Sequence, residues 1–180
     1  MNQSKISVRY AKAFFEYASE KGILENVIAD VKLLAKSLNE IAELAEVFQN
    51  PIVKPSGKKA FVSALLKDKI SKDTIDFLNL VIENGREMFT QDILRNVLDI
   101  YRKTQGITAV TLTSAVPLSK AQEKEVVDLV TKQQNTKVEL QTKVDPSLMG
   151  GIILRVEDKQ YDASVRSRLK QIKKELIANN

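Results

Sequence analysis

The chain has no cysteine, no histidine and no tryptophan among its 180 residues. Those absences exclude disulfides, thiolate nucleophiles, Cys/His zinc sites, imidazole bases and histidine-ligated haem. Proline (4) and glycine (6) are scarce, so few positions interrupt regular secondary structure. No window approaches the run of about 18 apolar residues that a membrane span requires. The opening MNQSKISVRYAK lacks the apolar run of a secretory signal. Neither sign of charge dominates: 28 Lys and Arg stand against 23 Asp and Glu, a net of +5. That falls short of a dedicated nucleic-acid binder. The composition is otherwise ordinary, 43% hydrophobic and 28% charged, which argues against disorder and supplies a core without covalent staples.

Periodicity divides what is present into two halves. The first hundred residues predict helix after helix. Ser4 caps one running to about Glu20, with Gly22 as its stop, and a second runs from about Leu24 to Asn39. A short third covers Ile41 to Phe48 and stops at Asn50-Pro51, and a fourth covers Ser56 to Leu66. Ser71 caps a fifth that stops at Asn84-Gly85, and Thr90 caps a sixth. After Gly106 the period changes from 3.6 to 2. Ile107–Thr113, Val138–Val144 and Gly151–Val156 read as strands, with Gln160–Asp162 pairing to the third. Ser119 and Gln122 form a capping box opening a helix to about Gln134, and Ser164 caps a last helix to about Ile177. The expected fold is mostly α: an N-terminal six-helix bundle over 1–105, then a small α+β domain over 106–180 with a short sheet and two helices.

No catalytic constellation emerges. Gly57-Lys58-Lys59 lacks the leading glycine and the hydroxyl of a phosphate loop, and reads as a helix start with solvated lysines. Gly150-Gly151 precedes a strand, the wrong order for a dinucleotide fingerprint, and reads as a turn whose backbone passes close to a neighbour. Glu157-Asp158 reads as a hairpin turn. No metal ligand set and no cofactor site is expected. The last helix carries Arg166, Arg168, Lys170, Lys173 and Lys174 against Glu175. No aromatic residue within it could stack bases, so a solvated or protein-facing role outweighs a nucleic-acid one.

Two helices carry more apolar surface than one core contact needs. On the first, Ile6, Tyr10, Ala13, Phe14 and Tyr17 gather on one side, and Val8, Ala11, Phe15 and Ala18 on the next. Together they span roughly 220°, about twice a core-facing stripe. The fifth repeats this with Ile75, Phe77, Leu78, Leu80, Val81 and Ile82. Periodicity alone leaves two explanations open: both helices are central in the bundle, or they flank an apolar groove for a partner's amphipathic helix.

Several pieces of this chain, in this order, resemble a known family. They are Arg9-Tyr10-Ala11-Lys12-Ala13-Phe14-Phe15, Asn50-Pro51, Glu83-Asn84-Gly85-Arg86, Val110–Ala115 with Pro117-Leu118-Ser119, Asp145–Gly151, Arg155 and Asp162-Ala163-Ser164-Val165. The chain resembles the delta subunits of bacterial ATP synthases, relatives of the mitochondrial oligomycin-sensitivity-conferring protein, over essentially its whole length. It departs from the pattern at Glu157-Asp158, where the family often has Gly-Asp, and at Met149, where Ile is common. The resemblance implies a non-catalytic stator subunit of a proton-translocating ATP synthase, on the cytoplasmic face of a bacterial plasma membrane and touching it only through the complex. It implies that the helical bundle grips the N-terminal helix of an alpha subunit. Tyr10, Ala13, Phe14, Phe77, Leu78 and Val81 are the candidate groove residues. It implies that the C-terminal domain takes the C-terminal end of the b subunits, with Gly150, Gly151, Arg166 and Lys170 as candidates. The competing readings are a free-standing basic adaptor or nucleic-acid-binding module, and a hydrolase or transferase using carboxylates or lysine.

The change of period at Gly106, with caps complete on its near side, predicts that residues 1–105 fold alone as a helical domain. Circular dichroism and thermal melting of that fragment should show a helical, cooperative transition, and a largely coiled fragment would refute the division.

Overall fold

The structure, a computed structural model, describes residues 4–50, 52–67, 69–134, 136–157 and 159–178. Pro51 and Asp158, invoked above as a helix stop and a turn residue, lie outside the described residues, as does the start of the MNQSKISVRYAK segment. The chain is mostly helical with a small four-stranded sheet, and it divides into two compact units, Met1–Tyr101 and Arg102–Asn180.

Among the described residues, six α-helices precede the first strand: α1 (Lys5–Glu20), α2 (Leu24–Glu40), α3 (Ala42–Gln49), α4 (Pro55–Leu66), α5 (Lys72–Glu83) and α6 (Thr90–Gln105). Their inward residues, among them Phe14, Val31, Leu44, Val62, Leu78 and Leu94, form one buried cluster. Burying such a side chain stabilises the fold by roughly 1.5–3 kcal/mol. Polar residues caught in this core find partners. Asn96 of α6 donates to Ser7 Oγ at 3.1 Å, and Ser7 donates to the Ser4 carbonyl at 2.8 Å. Asp30 of α2 accepts from the Ser71 and Thr74 hydroxyls at 2.5 and 2.8 Å, tying α2 to the start of α5.

The caps differ in kind. Ser71 accepts from the Thr74 amide as expected. Ser4 makes no side-chain cap. Thr90 instead donates to the Glu87 carbonyl at 2.7 Å, because a 3-10 turn (Glu87–Phe89) already leads the chain into α6.

A larger correction concerns Lys58. The expected solvated lysine is 2% exposed. Its ammonium donates to Glu87 Oε1 at 2.8 Å and to the Phe48 carbonyl at 3.2 Å. It thereby ties α4 to the end of α3 and to the turn before α6. Proline at the first position of α4 and a turn of helix place residue 58 inward, which a polar residue type concealed. Lys59 does reach the surface, paired with Glu83.

The second unit contains β1 (Ile107–Ser114), α7 (Lys120–Gln134), β2 (Lys137–Val144), β3 (Ile152–Val156), β4 (Lys159–Asp162) and α8 (Val165–Ala178). The strand order is β2-β1-β3-β4, parallel between β1 and β2 and antiparallel elsewhere. A parallel pair needs a crossover, and α7 is long enough to provide it. Thr108, Val110, Leu112 and Ser114 alternate inward along β1, and Val110, Val130 and Val156 centre the small core. The capping box of α7 is present: Ser119 N–H donates to Gln122 Oε1 at 2.9 Å, and Gln122 N–H to Ser119 Oγ at 3.3 Å. Gly151 takes φ +75, and a Cβ there would sit 2.2 Å from the Ala163 carbonyl oxygen. The close approach read from Gly150-Gly151 is therefore real. Glu157, where the family often has glycine, adopts φ +51, a left-handed conformation that glutamate reaches at a cost.

The buried ion pair makes a pH-dependent prediction. Burial pushes the Glu87 carboxyl up, but hydrogen bonds from Lys58 and the backbone, with the lysine charge, outweigh it and hold the group below its ordinary 4.5. A depressed carboxyl stabilises the fold above its unfolded value, and that contribution is lost as pH falls through the folded one. Lys58→Met should cost about 3 kcal/mol at neutral pH, because it strands a mostly buried carboxylate. The difference from the parent should shrink in acid. Urea melts at neutral and acid pH check this.

Candidate functional site

Helices α1 and α5 lie antiparallel, clamped at one end by polar contacts and in the middle by aromatic stacking. Tyr17 donates to Asp73 Oδ1 at 2.6 Å, and Lys21 donates to the same oxygen at 3.0 Å. The Lys21 ammonium also sits 4.6 Å from the Tyr17 ring centroid. Hydrogen bonds from Tyr17 and then Lys21 hold Asp73 below the usual carboxylate range. Lys21 is pushed up to about 12 by Tyr17 and then Asp73. One turn away, the Phe14 and Phe77 rings stack with centroids 3.9 Å apart and planes 5° from parallel.

Above that stack the helices leave a cleft of about 620 Å³. Its walls are Ile6, Arg9, Tyr10, Ala13, Phe14 and Tyr17 from α1, then Asp76, Phe77 and Leu80 from α5, with Arg86 just beyond. A groove with an apolar floor and charged ends suits an amphipathic helix laid along it.

The structure sorts the sequence candidates. Tyr10, Ala13, Phe14 and Phe77 come together in this groove. Leu78 and Val81 do not: each is 1% exposed and belongs to the core. The reason is angular. Thr74, Leu78, Val81 and Ile82 all point inward on α5, so Phe77 sits at the edge of that face and the groove begins beyond it. Phe14 has both roles, being 2% exposed in the core while also lining the cleft. On the opposite side of α1, Phe15 is half-buried and Val8 exposed. Leu80, Asp76, Arg9 and Arg86 were not singled out as groove residues. The i, i+4 spacing of Asp76 and Leu80 beside Phe77 was the signal for two of them.

The C-terminal candidates separate differently. Gly150 and Gly151 serve the backbone: a Cβ on Gly150 would lie 3.1 Å from Val165 Cγ2, and the Gly150 carbonyl accepts from the Val165 amide at 3.0 Å. Arg166 donates to Ser147 Oγ at 3.2 Å, tying the turn to α8. Lys170 is exposed. Sequence reasoning passed over a stripe on α8. Val165, Leu169, Ile172 and Leu176 recur at intervals of four, three and four, and all are 43–67% exposed.

No group of three or more acidic, cysteine or histidine side chains suited to a metal occurs among the described residues. No helix of the described residues is long and apolar enough to cross a membrane.

Comparison with known proteins agrees over nearly the whole chain. The family model described as ATP synthase delta (OSCP) subunit matches residues 6–176. An ATP synthase subunit delta of Phocaeicola vulgatus is 35% identical over 176 residues, covering 97% of this chain and 95% of that protein. One from Desulforamulus reducens is 33% identical over 178 residues, covering 99% and 98%. Among solved structures, a chain of the Toxoplasma gondii mitochondrial ATP synthase hexamer superposes with a TM-score of 0.73 at 27% identity, covering 97% of this chain and 98% of that one.

The double role of Phe14 predicts the outcome of charge substitution on α1. Phe14→Asp should abolish cooperative melting of the first unit, since it buries a carboxylate and removes the stack, at a cost above about 3 kcal/mol. Ala13→Asp, at an exposed position, should change stability by no more than about 0.5 kcal/mol. Thermal and urea denaturation compare them directly.

Proposed function

This chain belongs to the ATP synthase delta (OSCP) subunit family, and from that premise we propose how its two units share the family's work. The protein is a non-catalytic part of the peripheral stalk of ATP synthase. Its task is mechanical: the stalk keeps the catalytic head from turning with the rotor. The finer assignments are ours. Residues 1–105 act as a six-helix bundle domain, and its groove holds the N-terminal helix of an alpha subunit. The supporting observation is the stacked Phe14–Phe77 floor of an open apolar cleft. Burying one aromatic anchor of a partner there is worth roughly 1.5–3 kcal/mol.

Residues 106–180 act as an α+β domain that takes the C-terminal end of the b subunits along α8. The 4-3-4 spacing of its exposed apolar residues is that of a coiled-coil seam. Arg166, Lys170 and Lys173 lie along one flank, so a partner helix with acidic flanking residues fits best. A narrow apolar stripe with one basic flank, and Gln171 and Glu175 on the other side, favours a protein helix over a nucleic-acid backbone, which selects a broad cationic face. The complex works on the cytoplasmic face of a bacterial plasma membrane, and this chain meets the membrane only through its partners.

Two binding measurements on the full chain test the division. Ala13→Asp should abolish capture of a peptide from the N-terminus of the alpha subunit and leave capture of the end segment of the b stalk intact. Leu169→Asp with Ile172→Asp should do the reverse. Unchanged alpha-peptide affinity in Ala13→Asp would refute the groove assignment, and unchanged b capture in the double variant would refute the α8 assignment.

A further inference from the structure

We infer that the groove between α1 and α5 fixes the direction of the helix it holds, through Arg9 and Arg86 at one end and Asp76 at the other, an inference that rests on the groove being the site for the alpha subunit. Two contacts set the geometry. Tyr17 meets Asp73 and Phe14 meets Phe77, so residue numbers fall along α1 as they rise along α5. Arg9, near the start of α1, and Arg86, just past the end of α5, therefore share one end of the cleft with Ile6 and Leu80. Tyr17 and Asp76 stand at the other.

The two arginines are exposed, and no ion pair or hydrogen bond engages either guanidinium among the described residues. The Arg86 backbone is well supported. Gly85 (φ +62) closes α5 by donating to the Ile82 carbonyl, and the Arg86 amide donates to the Val81 carbonyl at 2.9 Å, the paired bonds of a Schellman turn. The next residue, Glu87, is pinned by Lys58. At the opposite end Lys21 and Tyr17 already engage Asp73, which leaves Asp76 as the carboxylate open to a partner among the described residues of the cleft.

Because α1 and α5 run in opposite senses, their backbone dipoles offset, and these side chains decide the field along the groove. An incoming helix carries partial positive charge at its N-terminus and negative charge at its C-terminus. The favourable direction places its C-terminal turn against Arg9 and Arg86 and its N-terminal turn against Asp76. The bound helix then runs antiparallel to α1 and parallel to α5. The partner chemistry follows: an apolar stripe for the Phe14–Phe77 floor, and carboxylates in the last turn.

Direction can be measured apart from affinity. The chain has no native cysteine, so Glu20→Cys, outside the groove at its Tyr17 end, accepts a single spin label. Peptides from the N-terminus of the alpha subunit, labelled at one end or the other, then report distances by pulsed electron resonance. The N-terminal label should lie nearer residue 20 than the C-terminal label. The reverse order, with binding retained, overturns the inferred direction and leaves the groove assignment standing. Absence of peptide binding overturns both. In a second arm, Arg9→Glu with Arg86→Glu should weaken binding about tenfold with an unchanged melting temperature, and the loss should diminish as salt rises. An affinity insensitive to that double reversal overturns the role of the arginines.

Discussion

The stack of Phe14 on Phe77 is the contact on which the candidate site depends. With ring centroids 3.9 Å apart, it sets how closely α1 and α5 can approach. Both rings line the cleft, so the stack is part of its floor. The same two rings seal the core below, since both are buried. Floor of the site and lid of the core are one pair of side chains, so the site is as rigid as the packing under it. That coupling suits a protein whose task is to transmit load.

Polar contacts hold the frame around that stack. Tyr17, Lys21 and Asp73 close one end of the helix pair. Asp30 draws α2 onto the start of α5. Lys58 and Glu87 fasten the turn that follows α5. A buried ion pair adds little net stability, because removing both ions from water offsets most of their attraction. Its geometric demand is the larger effect here: an ammonium that must reach both Glu87 and the Phe48 carbonyl admits few arrangements of α3, α4 and the turn before α6.

The second unit is built on other physics. Its core is small, centred on Val110, Val130 and Val156, and its chain path depends on backbone approach at Gly151, where a Cβ would strike the Ala163 carbonyl. Much of its apolar surface stays outside, on α8 above all. Exposed apolar seams are costly for an isolated chain and ordinary for one member of a permanent assembly. Neither unit needs reactive side chains for such work.

Much of this was legible in the sequence because it is local. Helical spacing, the change of period after Gly106 and the Ser119–Gln122 box depend on neighbours within a few residues, and the elements formed where those signals stood. The order of short motifs carried the family. The excess apolar arc on α1 and α5 announced surface in need of cover. Whether that cover is core or partner depends on the angle at which helices far apart in sequence meet. Only the packed structure turned Leu78 and Val81 inward, put Phe14 on the boundary and opened Leu80 and Asp76 to the groove. Lys58 shows the same limit. Its burial requires Glu87, 29 residues away, and no local pattern records a partner that only folding brings within reach.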